Sequence, residues 1–176
     1  MTKSLWISGA LFAAASAMLS AQASPPATAS VTIGGKAISI RYSSPSVRGR
    51  KIFGAGGLLS GDPTYPAWRA GANAATTLRA DADLDLGGLA VPKGSYTLYV
   101  WVKDPNAWEL IVNKETGQSG LDYNPKLDLG RVKMTMTKPP ALVERLKYTL
   151  TDKGANKGEL RLEWENQVAT VLMTVK

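Results

Sequence analysis

Along most of the chain, apolar and polar residues alternate with a period of two. Val132, Met134 and Met136 are interleaved with Arg131, Lys133 and Thr135, and Leu146, Tyr148 and Leu150 with Arg145, Lys147 and Thr149. Leu160, Leu162 and Trp164 alternate in the same way with Glu159, Arg161, Glu163 and Glu165. Successive side chains of a strand point to opposite faces, so each run predicts a strand with one face on a core and the other in water. Val31 and Ile33, the Gly34-Gly35 pair, then Ile38 and Ile40 predict a hairpin. Residues 76–86 predict one or two strands more, and 168–175 the last. Residues 95–102 and 108–113, joined by Asp104-Pro105-Asn106, carry apolar or aromatic side chains on both faces, as central strands do. No window sustains a helical period; a single turn is expected near 140–145.

About nine strands at roughly ten-residue spacing predict an all-β fold. The architecture expected is a single antiparallel β-sandwich, jelly-roll-like, with a closed β-barrel as the alternative. One long irregular segment, residues 43–73, contains six glycines. A loop of that length in a compact domain is usually functional or wraps a sheet edge.

The first 23 residues read differently. Lys3 precedes a mostly apolar, Ala-rich run over 5–19, and Ala21-Gln22-Ala23 has the small-x-small pattern of a signal-peptidase site. The expected organisation is a cleaved signal peptide over 1–23, a flexible Pro/Ala/Ser/Thr-rich lead over 24–30, and one domain over 31–176. The protein is then exported, periplasmic or extracellular, with no transmembrane segment after cleavage.

Composition narrows the chemistry. The chain has 176 residues and contains neither cysteine nor histidine. Disulfides, thiol nucleophiles, Cys/His zinc sites and His-dependent triads are thereby excluded, and acid–base work falls to Asp, Glu, Lys or Tyr. No cofactor is expected. The formal net charge is +7, but the basic residues are scattered, with only Arg48, Arg50 and Lys51 clustered. With no recognisable DNA or RNA motif, nucleic acid is not an expected partner.

Five segments occur in order: SPSVRGRKIFG (44–54), WRAGANAATTL (68–78), VPKGSYTLYV (91–100), WELIVNKETGQSG (108–120) and LEWEN (162–166). In these the chain resembles the secreted bacterial family catalogued as domain of unknown function 2911. The likeness runs from about Val31 onward and is most specific around 68–77. Residues 54–57 and 62–66 make a looser connection than the family pattern. The resemblance implies an exported protein and carries over no activity.

Several constellations carry candidate chemistry. Where the long loop re-enters the sheet, Arg69 can clamp an anion or carboxylate, Trp68 can serve as an apolar platform and Asn73 as a directional hydrogen bonder. The same motif can equally be a fastener, with Trp68 plugging the sandwich end and Arg69 tying loop carbonyls. The polar loop 113–123, with Gln118, can present hydrogen bonds to a sugar or peptide or simply connect strands. Arg48, Arg50 and Lys51 can meet an anionic polymer or form a solvated basic loop. Asp81, Asp83 and Asp85 fall on one strand face, where a solvated face outweighs calcium. Glu163 and Glu165 have the spacing of a retaining glycosidase pair, shared by many ordinary exposed pairs. Tyr99 and Trp101 form either a stacking platform for sugar rings or packing over a central strand.

The function expected is a non-catalytic binding module for a small molecule, glycan or envelope polymer. Its site is placed between 43–73 and 113–123, carried by Arg69, Asn73, Trp68, Arg48 and Gln118. A carboxylate-based hydrolase and an envelope protein–protein interaction module are the alternatives.

Overall fold

The structure, a computed structural model, describes residues 24–176; the expected leader lies outside them. Two antiparallel sheets face one another and do not close into a barrel. The first hairpin is β1 (Pro26–Ile33) and β2 (Lys36–Ser43), turning at Gly34-Gly35, so residues 26–30 of the expected flexible lead are instead strand, held by their ladder to β2. The long loop follows, containing a short 3-10 turn at Leu58–Gly61, and ends in the two-residue β3 (Ala67–Trp68). Then come β4 (Thr76–Ala80), β5 (Leu84–Leu86), β6 (Leu89–Val91), β7 (Gly94–Asp104) and β8 (Ala107–Asn113). A second 3-10 turn at Pro125–Leu127 leads into β9 (Asp128–Lys133), β10 (Thr135–Thr137), β11 (Val143–Gly154), β12 (Lys157–Glu165) and β13 (Gln167–Val175).

One sheet runs β1-β2-β4-β7-β8-β9, with β3 also on β7; the other runs β11-β12-β13-β5-β6, with β10 also on β13. Among the described residues nine strands have five or more residues, and β3, β5, β6 and β10 are shorter patches. Residues 76–86 form two strands because the chain leaves the first sheet after Ala80 and joins the second at Leu84. The alternating run 131–136 is also divided. Val132 pairs with Leu110 in one sheet, whereas Met136 pairs with Ala169 in the other. The apolar period survives the crossing because both sheets face the same core. The single helical turn expected near 140–145 does not form: after Pro139-Pro140 the chain bends, and β11 begins at Val143.

The inward side chains make one continuous core drawn from both sheets and from the long loop. Ile52 is fully buried, and Val47, Phe53 and Leu59 nearly so, so the loop closes one end of the sandwich rather than standing free. A second, smaller cluster lies outside the first sheet, where Ala67 and Tyr123 cover Tyr99 and Ile111. Tyr99 and Trp101 are therefore packing residues. Tyr99 is inaccessible, and the Arg131 guanidinium sits 4.7 Å over the Trp101 ring.

The sheets approach closely at Gly158 on β12. A Cβ there would run into Ile33 Cδ1 from the opposite sheet and lie 2.9 Å from the Thr151 carbonyl oxygen. Gly158→Ala should cost about 1–3 kcal/mol of stability through overpacking. Thermal denaturation should show Tm lower by about 2–4 °C for each kcal/mol. An unchanged Tm would contradict this sheet-to-sheet contact.

Candidate functional site

The long loop is held by its own polar groups and by the second sheet. Ser46 bridges to Arg145, the Val47 amide donates to the Glu144 carbonyl (2.8 Å) and the Leu146 amide to the Pro45 carbonyl (2.9 Å). Farther along, the Ile52 amide donates to Glu165 Oε1 at 2.7 Å. This delivers Phe53 into a nest of three indoles, with ring centroids 5.7 Å from Trp68, 4.7 Å from Trp108 and 5.8 Å from Trp164. Trp68 lies nearly parallel to Trp164, at 5.6 Å and 19°.

The chain enters this end through β3, where Trp68 pairs with Val100 and turns its indole inward. At Ala70 the backbone takes a left-handed conformation, φ 49°. The Ala70 carbonyl accepts from the Tyr148 hydroxyl (3.0 Å) and from Thr76 Oγ1 (3.2 Å). Burial, and after it Tyr42, push the Tyr148 phenol above its ordinary range, so it remains a protonated donor. Such anchoring of a non-glycine residue in the left-handed region fixes the direction in which Arg69 leaves the strand.

Arg69 lines a cavity of about 270 Å³ between the 3-10 turn and the indole pair, with Leu58, Leu59, Pro63, Trp68 and Trp164 as its apolar walls. Asp62 supplies the acidic side chain of the lining. Its Oδ2 lies 3.6 Å from Arg69 Nη2, and its side chain is 8% exposed. Oδ1 accepts from the Thr64 amide (3.0 Å) and hydroxyl (2.8 Å). The guanidinium is less well served: Arg69 Nε is buried and has no hydrogen-bond partner. Trp164 Nε1 is in the same condition. A buried donor left unmet costs about 1–3 kcal/mol, and both of these belong to residues that line the cavity. The stem of Arg69 is held by Gly120, where a Cβ would fall 2.6 Å from Arg69 Cδ and 3.0 Å from the Asn73 carbonyl oxygen.

A larger hollow, about 710 Å³, lies at the β7–β8 turn between Trp101, Lys103, Asn106 and Lys133. Trp108, whose Nε1 also lacks a partner, reaches it. Its charged side chains are at the surface, whereas the smaller cavity carries a half-buried guanidinium against a buried carboxylate. Charge withdrawn from water is the stronger mark of a site.

The structure thus brings together part of the expected constellation. Trp68 and Arg69 line one cavity, with Trp68 as a buried floor, 1% exposed, rather than an open platform. Asn73 adjoins it through Gly120 and the Ala74–Ser119 bridge. The Asn73 side chain is exposed, φ is 60°, and Nδ2 reaches the Ser24 carbonyl at 3.5 Å. Gln118 does not line the cavity: its Nε2 donates to Thr97 Oγ1 (3.2 Å) and the Glu115 carbonyl (3.4 Å) beneath its own loop. Arg48 lies beside β11, where its amide donates to Glu144 Oε1. In the basic cluster Arg50 binds the Val47 and Ser46 carbonyls and Lys51 the Ala55 carbonyl, so these charges fasten loop backbone.

The carboxylates also have separate tasks. Asp85 accepts from the Gly88 amide, closing a turn, Asp83 accepts from the Lys93 amide ten residues on, and Asp81 meets Arg79. Only Asp85 of the three is in a strand, so the shared face expected for them does not form. Glu163 pairs with Arg161 at 3.0 Å; Glu165, at φ 52°, leaves the strand alternation and holds the Ile52 amide. Asp62 and Trp164 are the lining residues that sequence reasoning missed. The Asp62-Pro63-Thr64 turn was a weak signal, and Trp164 reads as ordinary core.

Glu165→Ala should free the Ile52 amide, removing a hydrogen bond to a charged group worth about 1.5 kcal/mol. Hydrogen exchange at Ile52 should then speed up about tenfold, with Tyr148 and the central strands unaffected. A second expectation concerns Tyr123, whose hydroxyl donates to Asp128 Oδ2 at 2.7 Å. Burial, and then Asp128, push its phenol up to about 12. The unfolded chain loses that proton near 10, so the folded state binds it more tightly between those values. The resulting stability is present below pH 10 and is lost as pH rises through 12. Tyr123→Phe should flatten the alkaline fall of Tm over that window relative to wild type.

Comparison with known proteins gives one result. A family profile described as Protein of unknown function (DUF2911) matches residues 24–173. No curated protein and no solved structure matches. The described fold and nearly all of its core fall within the matched span, and the chain belongs to the DUF2911 family.

Proposed function

We propose that this protein is an exported, non-catalytic binding module whose ligand enters the cavity between the long loop and the indole pair. One observation carries the reading. Arg69 is held at the cavity wall by Asp62 and Gly120, yet its Nε is buried and unpaired. A loop fastener would satisfy its own donors, as Arg50 does. Apolar walls with a few convergent polar groups are the usual make-up of a small-molecule site. Leu58, 46% exposed, extends the apolar wall to the surface.

The hydrolase alternative asks for two carboxylates flanking a substrate, and among the described residues Asp62 is the one carboxylate lining this cavity. Export rests on the sequence of the leader. Among the described residues no helix is long and apolar enough to cross a membrane.

The test is a thermal-shift panel of glycans, wall fragments, organic acids and divalent metals on wild type and Arg69→Ala. A ligand at one hundred times its Kd adds about 2.7 kcal/mol, or roughly 5–11 °C in Tm for a domain of this size. The expected result is a shift in wild type that Arg69→Ala abolishes. Silence across the panel, with Arg69→Ala strongly destabilised by itself, would make the motif a structural fastener.

A further inference from the structure

Another hollow lies on the outer face of the first sheet, and we infer that it binds a carboxylated sugar, a uronate, with Arg41 taking the carboxylate and Thr28 and Thr77 the ring hydroxyls. Its volume is about 480 Å³, and it shares no lining residue with the cavity that Arg69 lines. The strand ladders set these side chains in a row: Thr28 of β1 is the partner of Arg41 on β2, and Arg41 that of Thr77 on β4. Ile38 and Ile40 of β2 face the core, as do Thr76 and Leu78 of β4. Arg41 and Thr77, one position on, therefore face outward, as the exposed Thr28 does beside buried Ala29. Neighbouring strands stand about 4.8 Å apart, so the guanidinium rises from between two hydroxyl-bearing side chains.

None of the three is engaged by the protein. Among the described residues the Arg41 guanidinium has no ion pair or hydrogen bond, and the Thr28 and Thr77 hydroxyls have no hydrogen bond. The other arginines of this sheet have carboxylate partners, Arg79 with Asp81 at 3.3 Å and Arg131 with Asp128 at 3.4 Å. β1, β2 and β4 contain no acidic residue, so nothing on these strands offsets Arg41. Arg41 and Thr28 are exposed, and a ligand reaches them without displacing any part of the chain. One unbalanced guanidinium asks for one negative charge, and the paired oxygens of a carboxylate match its fork. A neutral carbonyl would leave that charge unanswered, and a phosphate dianion would bring one charge too many. Hydroxyls both donate and accept, so Thr28, Thr77 and Ser43 of the same lining complement the hydroxyls of a sugar and have no use for an apolar acid. Pro26 and Ala74 form a low apolar rim on which the C–H face of a ring can rest. The volume falls within the usual range of small-molecule sites.

The experiment follows the backbone amides of the ¹⁵N-labelled protein as glucuronate and galacturonate are added, against glucose, acetate and glucose 6-phosphate at matched ionic strength. The expected result is a saturable movement of the Thr28, Arg41, Ala75 and Thr77 amides with a uronate, at an affinity at least about tenfold above that of glucose or acetate. Arg41→Gln changes an exposed side chain and should leave Tm as it is, while weakening uronate binding at least about tenfold. Thr77→Val keeps the shape of the side chain and should weaken it severalfold. Arg69→Ala should leave the movement at these four amides intact. Equal or tighter binding of glucose, acetate or glucose 6-phosphate would overturn the ligand class. A uronate response that survives Arg41→Gln, or that appears at Leu59 and Arg69 instead, would overturn the site. So would the absence of movement at these amides with every probe. That failure would leave the cavity reading standing, since the cavity is tested through Arg69.

Discussion

Phe53 is the contact on which this end of the molecule depends. It belongs to the long loop, yet its ring sits among Trp68 of β3, Trp108 of β8 and Trp164 of β12, so one loop side chain touches both sheets. Burying such a ring is worth about 1.5–3 kcal/mol, and each well-placed aromatic pair about 0.5–1.5 kcal/mol more. The gain offsets the entropy of ordering a glycine-rich connection, which loses more freedom on folding than other sequences. Ile52 and Leu59, buried on either side of it, leave the loop no independent course.

That anchoring also makes the cavity. Trp68 and Trp164 are fixed as a stacked floor by Phe53, and the 3-10 turn at Leu58–Gly61 stands over it as a roof. On the other side, Tyr148 fastens the Ala70 carbonyl from β11 and so sets the exit of Arg69. Fastener and cavity are therefore one construction. The residues that seal the sandwich are the residues that shape the hollow, and disturbing Phe53 or Tyr148 acts on both.

How much of this was legible in the sequence follows from the range of the interactions involved. Strand alternation is a local rule, so Leu146–Tyr148–Leu150 and Leu160–Leu162–Trp164 were readable with their faces. The crossing at Met134 was not, because a strand that changes sheets over a shared core keeps its period. Asp81, Asp83 and Asp85 alternate as strand residues do, but the chain is passing between sheets there, and backbone amides claim two of the carboxylates. The candidate site was half legible for the same reason. Trp68 and Arg69 are neighbours in sequence and share the cavity. Arg48 and Gln118 were joined to them by loop membership alone; the Arg48 amide is bonded to Glu144 on β11, and Gln118 to the backbone of its own loop. Trp164 and Asp62 come from 95 and 7 positions away from Arg69, a convergence that no local pattern records.

The geometry of Arg69 argues for the cavity more strongly than its apolar walls do. A charge-assisted hydrogen bond closes to about 2.7–2.9 Å, whereas Arg69 and Asp62 stand 3.6 Å apart with most of both side chains withdrawn from water. Folding could have relieved that arrangement in two ways: by letting the guanidinium collapse onto Asp62, or by releasing it to solvent. Gly120 against the stem and Tyr148 behind Ala70 hinder both. Arg50 shows what relief looks like in the same loop, with its guanidinium spent on two carbonyls. If an acceptor enters the cavity as proposed, an arginine kept short of its partner by its own scaffold needs little further ordering to meet it.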